Sequence, residues 1–425
     1  MSFIREVIPP PGLLRVLCLS NVAKTAGHGI LMSISVLFFT RTVDIPAEQV
    51  GLALTIGAGV GMLASVPAGR AADVLGPRNT TIALLCLLGV FVCGYAFVSG
   101  FVGLVVVASL ALMAESATDA ARGALVAGLV PPAERVRAWS YMRSVANIGI
   151  SFGAIAGGVA LHFDNRTTYV ALLLTAGALF VAAGVAYLTV PQVPPAVQPA
   201  GGPRWVVLRD RPYAATALVN AVLIMNSGIL VVALPIWIAE RTDAPTSVYS
   251  AILLLNTVCV VLFQVRVSRG SEDVPGGARA LRRSGALLAV CCLLFAAASG
   301  QSAWLAGILL LAGALVHVFG EMLYSTGAWS LAYGLAPDHA QGQYQGLFSM
   351  STQVGSMVTP AAAAALVIGL GRPGWLVFAV VLLAAGVCAI PVARWAEHTR
   401  RPAHQPPAAA MESLAGPTVP TEGTA

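Results

Sequence analysis

Twelve long apolar runs dominate the sequence and restrict what the chain can fold into. Most of them reach or approach the roughly 20 residues that a helix needs to cross the hydrocarbon core of a bilayer. They cover residues 13–40, 49–68, 79–99, 102–127, 138–161, 168–190, 212–238, 247–267, 284–299, 303–328, 343–369 and 374–395. Backbone groups in hydrocarbon need partners within their own segment, and a closed barrel would show short alternating strands instead. The runs therefore predict an all-α membrane protein with twelve transmembrane helices, since 57% hydrophobic residues exclude a soluble core of this size.

The two halves of the sequence resemble each other. The stretch at 124–132 matches 330–338 at an offset of 206 residues, which also carries Glu115 onto Glu321 and Gly149 onto Gly355. Residues 20–31 match 219–230 at an offset of 199. We therefore expect two pseudo-symmetric six-helix bundles, an arrangement typical of transporters whose site lies between repeats. The predicted parts are an N-terminal bundle (1–190), a cytoplasmic linker (191–211), a C-terminal bundle (212–397) and a disordered cytoplasmic tail (398–425).

The arginines predict the orientation in the membrane. With the N-terminus inside, 18 arginines, including Arg143, fall in or beside inner loops and tails, whereas four fall in outer loops. Because cytoplasmic loops carry the excess of basic residues, both termini are predicted to be cytoplasmic in a multi-pass protein of the inner (plasma) membrane. The net charge of +6 then needs no nucleic-acid partner. A single lysine beside 23 arginines, with abundant Ala and Gly, is typical of a GC-rich bacterial genome.

A charged decapeptide, GRAADVLGPR at 69–78, separates the second and third runs. Its Gly69, Asp73, Gly76 and Arg78 fit G-x-x-x-D-x-x-G-x-[RK], and here the chain resembles the major facilitator superfamily, apart from Val74 and Pro77 where basic residues are usual. The resemblance implies a conformational latch between the two bundles on the inner side, to which Arg122 is a further candidate. An aspartate there can accept hydrogen bonds from a helix N-terminus or an arginine. The alternative is a short anchored turn without a switching role.

A second motif lies in the fifth run, where Gly149, Gly153, Gly157 and Gly158 are similar to the family's glycine-rich antiporter motif. Ala154 stands where that motif has proline, while the eleventh run has the counterpart residues Gly355 and Pro360. Small residues four apart create a flat helix face for close packing. The motif thus predicts helix packing, with or without antiport.

Ionisable residues inside the runs are few, and each is a functional candidate because its burial in hydrocarbon is costly. They are Lys24 and His28 in helix 1, Glu115, Asp119 and Arg122 in helix 4, and His317 and Glu321 in helix 10. Spacings of three and four place each set on one helix face. In the family, helices 1, 4, 7 and 10 line the cavity, so Asn21, Asn220 and Asn226 join Lys24 and His28 as candidate substrate contacts.

Counting charges leaves one acid without a cationic partner. We expect Lys24 to pair with Glu115 and Arg122 with Asp119, so Glu321 is the unpaired acid that can exchange a proton. Glu321 resembles the helix 10 carboxylate of some proton-driven drug exporters, with Glu115, Asp119 and His317 as further proton-coupling candidates. A structural pair at Glu321 and a packing role for His317 are the alternatives.

These features predict a secondary transporter rather than an enzyme. Walker loops and metalloprotease motifs are missing from the sequence, so we expect no cofactor and no metal, with the proton gradient as energy source. The leading hypothesis is proton-coupled efflux of a small hydrophobic or cationic compound, such as an antibiotic, by a monomer in the lipid bilayer. The alternatives are a proton-coupled uptake symporter for a small metabolite and a non-transporting receptor of the same fold.

Overall fold

The computed structural model describes residues 9–197 and 203–400. Within them, twelve helices are long and apolar enough to cross a membrane, which confirms the predicted all-α class and the number of spans. In chain order they are α1 Leu13–Arg41, α2 Ala47–Leu75, α3 Pro77–Phe97, α4 Phe101–Leu129, α5 Pro132–Phe163, α6 Arg166–Thr189, α7 Arg211–Arg241, α8 Ser247–Val267, α9 Val274–Ala298, α10 Ala303–Gly334, α11 Asp338–Gly369 and α12 Arg372–Arg400. The predicted tail lies outside the described residues from position 401, while residues 398–400 form the end of α12.

Several helices extend well beyond their apolar runs. α5 begins at Pro132 and α9 at Val274, although their runs begin at residues 138 and 284. Prolines fit the first turn of both helices because the N–H groups there have no partner within the helix. Asp273 caps α9 by accepting a hydrogen bond from the Gly276 N–H at 2.8 Å. The apolar runs thus mark the hydrocarbon-buried part, and polar first turns lengthen the helices.

The helices form two units, which we call the N-unit (α1–α6) and the C-unit (α7–α12). Each has its own large cluster of buried apolar side chains. The repeat is visible in the packing: Gly149 of α5 lies against Val22 and Thr25 of α1, and its counterpart Gly355 of α11 lies against Ala221 of α7. A methyl group at either glycine would overlap these neighbours. The two units therefore use equivalent glycines for equivalent helix contacts.

The glycine motif of α5 packs as predicted at three of its four positions. Gly153 lies against the backbone of Gly29 in α1, and Gly157 lies against Ser33. Gly158 has open space where its side chain would be and takes no part in this contact. Gly158 was therefore wrongly included in the packing face, because it projects away from α1.

Alternating helix directions give the bundle two ends, which we name after residues that lie there. The Asp73 end holds the α2–α3, α4–α5 and α10–α11 connections, and the Asp164 end holds the α1–α2 and α5–α6 connections. At the latter, Asp164 accepts hydrogen bonds from the Tyr169 hydroxyl at 2.7 Å and from Arg41 at 2.8 Å. The hydrogen bond from Tyr169, followed by the Arg41 guanidinium, lowers the pKa of Asp164.

Candidate functional site

Asp73 joins the two units at the Asp73 end. Its buried carboxylate accepts hydrogen bonds from the backbone N–H groups of Gly342 at 2.6 Å and Gln343 at 3.0 Å. Both donors lie in the first turn of the α-helical part of α11, which begins at Gln341 after a 3-10 turn. There the N–H groups lack partners within the helix, and the helix dipole favours a negative charge. The carboxylate of α2 therefore caps a helix of the opposite unit.

Glycines bring α2 and α11 close enough for this contact. A Cβ atom on Gly69 would overlap the Gly342 carbonyl group, and one on Gly346 would lie 2.5 Å from the Ser65 carbonyl oxygen. About two turns further along α11, Gln353 accepts a hydrogen bond from Ser116 at 2.8 Å and donates one to Ser65 at 3.2 Å. The seam between α2, α4 and α11 is thus closed from the Asp73 end to the middle of the bundle.

The remaining latch candidates have different partners. Gly76 has a φ of 94° and makes the tight turn between α2 and α3, a conformation that favours glycine. Arg78 donates hydrogen bonds to the carbonyl oxygens of Tyr187 and Leu188 at the end of α6, within its own unit. Arg122 is bonded to Asn21 and Asp119, so its assignment to the latch was wrong.

A cavity of about 300 Å³ lies between the two units. We call it the central cavity; its lining residues come from α1, α4, α5, α7, α10 and α11. They include Asn21, Thr25, Arg122, Trp139, Met142, Arg143, Ile150, Ile224, Asn226, Ser227, Glu321, Tyr324, Trp329, Phe348 and Thr352. Among them Glu321 is the one carboxylate, and Arg122 and Arg143 are the two cationic groups.

Glu321 is paired across the cavity with Arg143. The Arg143 guanidinium of α5 donates a hydrogen bond to Oε1 of Glu321 in α10, and Asn256 of α8 donates to Oε2 at 2.8 Å. The prediction that Glu321 lacks a cationic partner was therefore wrong. The arginine distribution predicts that Arg143 belongs to the inner surface. Arg143 nevertheless lies five residues inside the apolar run 138–161, and this position is the sequence signal that marks it as a residue of the core.

Asp119 is shared by two cations of the N-unit. Its Oδ1 is paired with Nζ of Lys24 and lies 3.3 Å from Nη2 of Arg122. The predicted Arg122–Asp119 pair is thus present, whereas the predicted Lys24–Glu115 pair is not. Lys24 reaches Asp119 because the lysine and the aspartate lie on facing turns of α1 and α4.

Glu115 is paired instead with His28, whose Nδ1 lies 2.9 Å from the carboxylate. Both line a second cavity of about 480 Å³, the side cavity, together with Asp119 and residues of α2 and α11 such as Gln353 and Pro360. The repeat-related acids Glu115 and Glu321 therefore face different cavities. Asn256 and Arg143 stabilise Glu321 from α8 and α5, whereas His28 stabilises Glu115 from α1.

The other candidates are buried around the central cavity. The fully buried His317 has Nε2 at 3.0 Å from the Asn226 carbonyl oxygen and makes no hydrogen bond to Glu321. Asn220 accepts from Tyr324 at 2.8 Å and donates to Ser351 at 2.9 Å, behind the cavity wall. Asn21 lines the cavity and donates to the Met142 carbonyl oxygen at 2.7 Å.

Aromatic rings close the Asp73 side of the central cavity. The indole of Trp139 in α5 stacks on that of Trp329 in α10, with centroids 3.8 Å apart and an interplanar angle of 7°. Trp139 donates a hydrogen bond to the Tyr333 hydroxyl, which donates to the Gly123 carbonyl oxygen at 3.1 Å. These contacts join the two units on the Asp73 side of Arg143 and Glu321. Within the described chain, no cluster of three or more His, Cys, Asp or Glu residues could hold a metal ion.

Comparisons with known proteins agree with this architecture. The chain is 22% identical over 385 residues to the uncharacterized MFS-type transporter YdeE of Escherichia coli (strain K12), covering 87% of this chain and 92% of the relative. Among solved structures, a bacterial homologue of the iron transporter ferroportin, in an outward-facing state, is similar with a TM-score of 0.69 at 17% identity, covering 91% of this chain and all of that one. The transporter FucP, in an outward conformation, has a TM-score of 0.68 at 16% identity, covering 92% and 99%.

The family model of the Major Facilitator Superfamily matches residues 17–349, and a second, overlapping match covers residues 217–420. Members of this family bind small-molecule substrates and carry them across the bilayer by alternating access between two helix bundles. A cavity between two six-helix units, closed at one end, has the form that this mechanism requires. The chain belongs to the Major Facilitator Superfamily and is a multi-pass membrane transporter rather than an enzyme.

Proposed function

We propose that this transporter exports a small hydrophobic or cationic compound in exchange for protons, as a monomer in the inner (plasma) membrane. The observation that carries the proposal is the position of Glu321: it is the one carboxylate lining the described central cavity, and its partner Arg143 belongs to the opposite unit. A proton on Glu321 and a cation bound to Glu321 are mutually exclusive. That competition is the requirement for exchange.

The Asp73 end is proposed to face the cytoplasm, in accord with the arginine distribution. In this orientation the Asp73–α11 contact, the α2–α11 glycine seam and the indole stack seal the cytoplasmic side. The structure then corresponds to the outward-facing state, and Asp73 acts as the latch that stabilises it. Export would require these contacts to separate so that the compound enters from the cytoplasm.

The compound is proposed to be small and largely apolar. The central cavity holds about 300 Å³, at the lower end of the range for small-molecule sites, and Met142, Ile150, Ile224, Trp329 and Phe348 contribute apolar surface. Glu115 and Asp119 face the side cavity, so Glu321 is the acid available to a cationic group. The preference of the central cavity for a cationic compound therefore depends on Glu321 alone, and Glu115 and Asp119 do not contribute to it.

The test is proton release triggered by added compound in inside-out vesicles, with a panel of antibiotics, dyes and metabolites. We expect an active compound to dissipate the pH gradient in wild-type vesicles and not in Glu321→Gln vesicles. The exposed Glu240→Gln, at the end of α7, serves as control and retains the response. Full proton-driven transport in Glu321→Gln would contradict the proposal.

A second candidate is proton-coupled uptake of a small acidic metabolite, favoured by the two guanidinium groups in the central cavity. An anion that replaces Glu321 on Arg143 leaves Glu321 without a cation, and a proton then binds with the anion. Substrate and proton would move in the same direction. Flux in oriented vesicles separates the two candidates, because a proton gradient drives the compound with the protons in one and against them in the other.

A further inference from the structure

The Arg143–Glu321 pair joins the two moving units of the transporter rather than two helices of the same unit. Arg143 lies on α5 of the N-unit and Glu321 on α10 of the C-unit. The other ion pairs described for the central helices, Lys24–Asp119, Arg122–Asp119 and His28–Glu115, lie within the N-unit. Separation of the units at the Asp73 end must pull Arg143 away from Glu321, whereas the pairs of the N-unit can move as one body.

The surroundings of Glu321 make this separation costly while the carboxylate is charged. Its side chain is 12% exposed. A charged Glu321 without Arg143 would therefore be an unpaired carboxylate with little access to water, which is energetically costly. The charged or titratable groups that face it are Arg143 from α5 and His317 and Tyr324 from α10, while Asn256 from α8 is neutral. The Tyr324 hydroxyl donates its hydrogen bond to Asn220. His317 is held by the Asn226 carbonyl oxygen and makes no hydrogen bond to Glu321. Arg143 is therefore the residue that compensates the charge.

The Arg143 side chain can also move away from Glu321. Its side chain is 39% exposed and lines the central cavity, and the guanidinium retains further N–H donors besides the one that binds Glu321. A proton on Glu321 removes the attraction, and a bound organic cation replaces the guanidinium. Both events release the same bond between the units.

We infer that Arg143 is a built-in counter-ion that enforces coupling: it keeps the Asp73 end closed in the empty, deprotonated carrier and permits reorientation only when Glu321 carries a proton or a substrate cation. The inference rests on the proposed exchange of protons for an exported compound, and it narrows that compound to an organic cation. An antiporter must not reorient empty, because an empty return would uncouple substrate from protons. The bond between Arg143 and Glu321 prevents reorientation of the empty, deprotonated carrier.

The experiment compares full-length wild type, Arg143→Gln, Arg143→Lys and Glu321→Gln in liposomes. Arg137→Gln is the matched control, because Arg137 lies on the same helix near the Asp73 end and lines a separate groove. Hydrogen exchange at the first turns of α11 reports closure of the Asp73 end without any substrate. We expect Arg143→Gln and Glu321→Gln to accelerate this exchange by about tenfold or more, as for a buried pair that has lost one partner. Arg143→Lys and Arg137→Gln should match wild type.

Transport of ethidium, a monovalent organic cation, is the second readout. Net downhill ethidium flux without a proton gradient should rise about tenfold in Arg143→Gln, whereas Arg143→Lys stays coupled because it keeps the charge. Unchanged protection of α11 and unchanged coupling in Arg143→Gln would overturn the inference. If wild type shows no proton-driven ethidium flux, the proposed exchange of protons for a cation fails for this probe, while hydrogen exchange still decides the role of Arg143.

Discussion

Asp73 on α2 accepts a 2.6 Å hydrogen bond from the backbone N–H of Gly342 on α11, so that a side chain of one unit caps a helix of the other. We expect Asp73→Ala to weaken closure of the Asp73 end by about 2–3 kcal/mol, because the variant loses charge-assisted bonds to buried donors. The measurement is hydrogen exchange at Gly342 and Gln343 together with transport. Glu48→Gln, at the opposite end of α2, should change neither, and equal effects of both variants would exclude a specific latch.

The glycine seam between α2 and α11 gives a steric prediction. Gly69→Ala places a methyl group on the Gly342 carbonyl, whereas Gly59→Ala on the same helix meets no atom within 4 Å. We expect Gly69→Ala to insert and fold but to lose transport, because the Asp73 end cannot close. Gly59→Ala should transport like wild type. Transport by Gly69→Ala at the wild-type rate would show that close approach at Gly69 is dispensable.

The α1–α5 contact predicts a difference in stability between two glycines of one motif. Gly153→Ala should lower stability by about 1–3 kcal/mol, because the new methyl group overlaps the Gly29 backbone. Gly158→Ala has open space and should leave the melting temperature unchanged or slightly raised, since alanine favours helix. Thermal unfolding of the purified variants in detergent checks the order, and equal melting temperatures would contradict it.

Asp119 neutralises two cations, so its replacement should lower stability more than replacement of either Lys24 or Arg122. Asp119→Asn removes the carboxylate that pairs with both Lys24 and Arg122 inside the N-unit, and we expect a cost of about 1–2 kcal/mol because the carboxylate is partly exposed. Lys24→Met combined with Asp119→Asn should recover part of it. Thermal unfolding of the single and double variants measures the coupling, and strict additivity would exclude this charge balance.

The Asp164 contact predicts a pH-dependent contribution at the opposite end. Because the pKa of Asp164 is lowered by Tyr169 and Arg41, its contribution to stability is present above the ordinary aspartate pKa and is lost as the pH falls through the lowered value. The melting temperature of Asp164→Asn should therefore lie below that of wild type at pH 7. The difference should shrink below about pH 4. A difference that grows on acidification would have the wrong sign.

Run length and repeat pattern were enough to predict the twelve spans, the two units and the contact face of the glycine motif at Gly149, Gly153 and Gly157. These properties are local: a bilayer requires helices of a given length, and small residues four apart always share one helix face. The sequence also identified most of the ionisable residues of the core, because charges are rare in apolar runs.

Tertiary structure alone decided which of these charges meet. Lys24 pairs with Asp119 rather than with Glu115. Glu321 is bound by Arg143 and Asn256, which belong to helices that the sequence analysis did not connect with it. Pairing depends on the rotation and tilt of one helix against another, which the packing of side chains sets between residues that lie 65 to 178 positions apart in the chain. For the same reason, the division of Glu115 and Glu321 between two cavities became visible only once the helices were assembled.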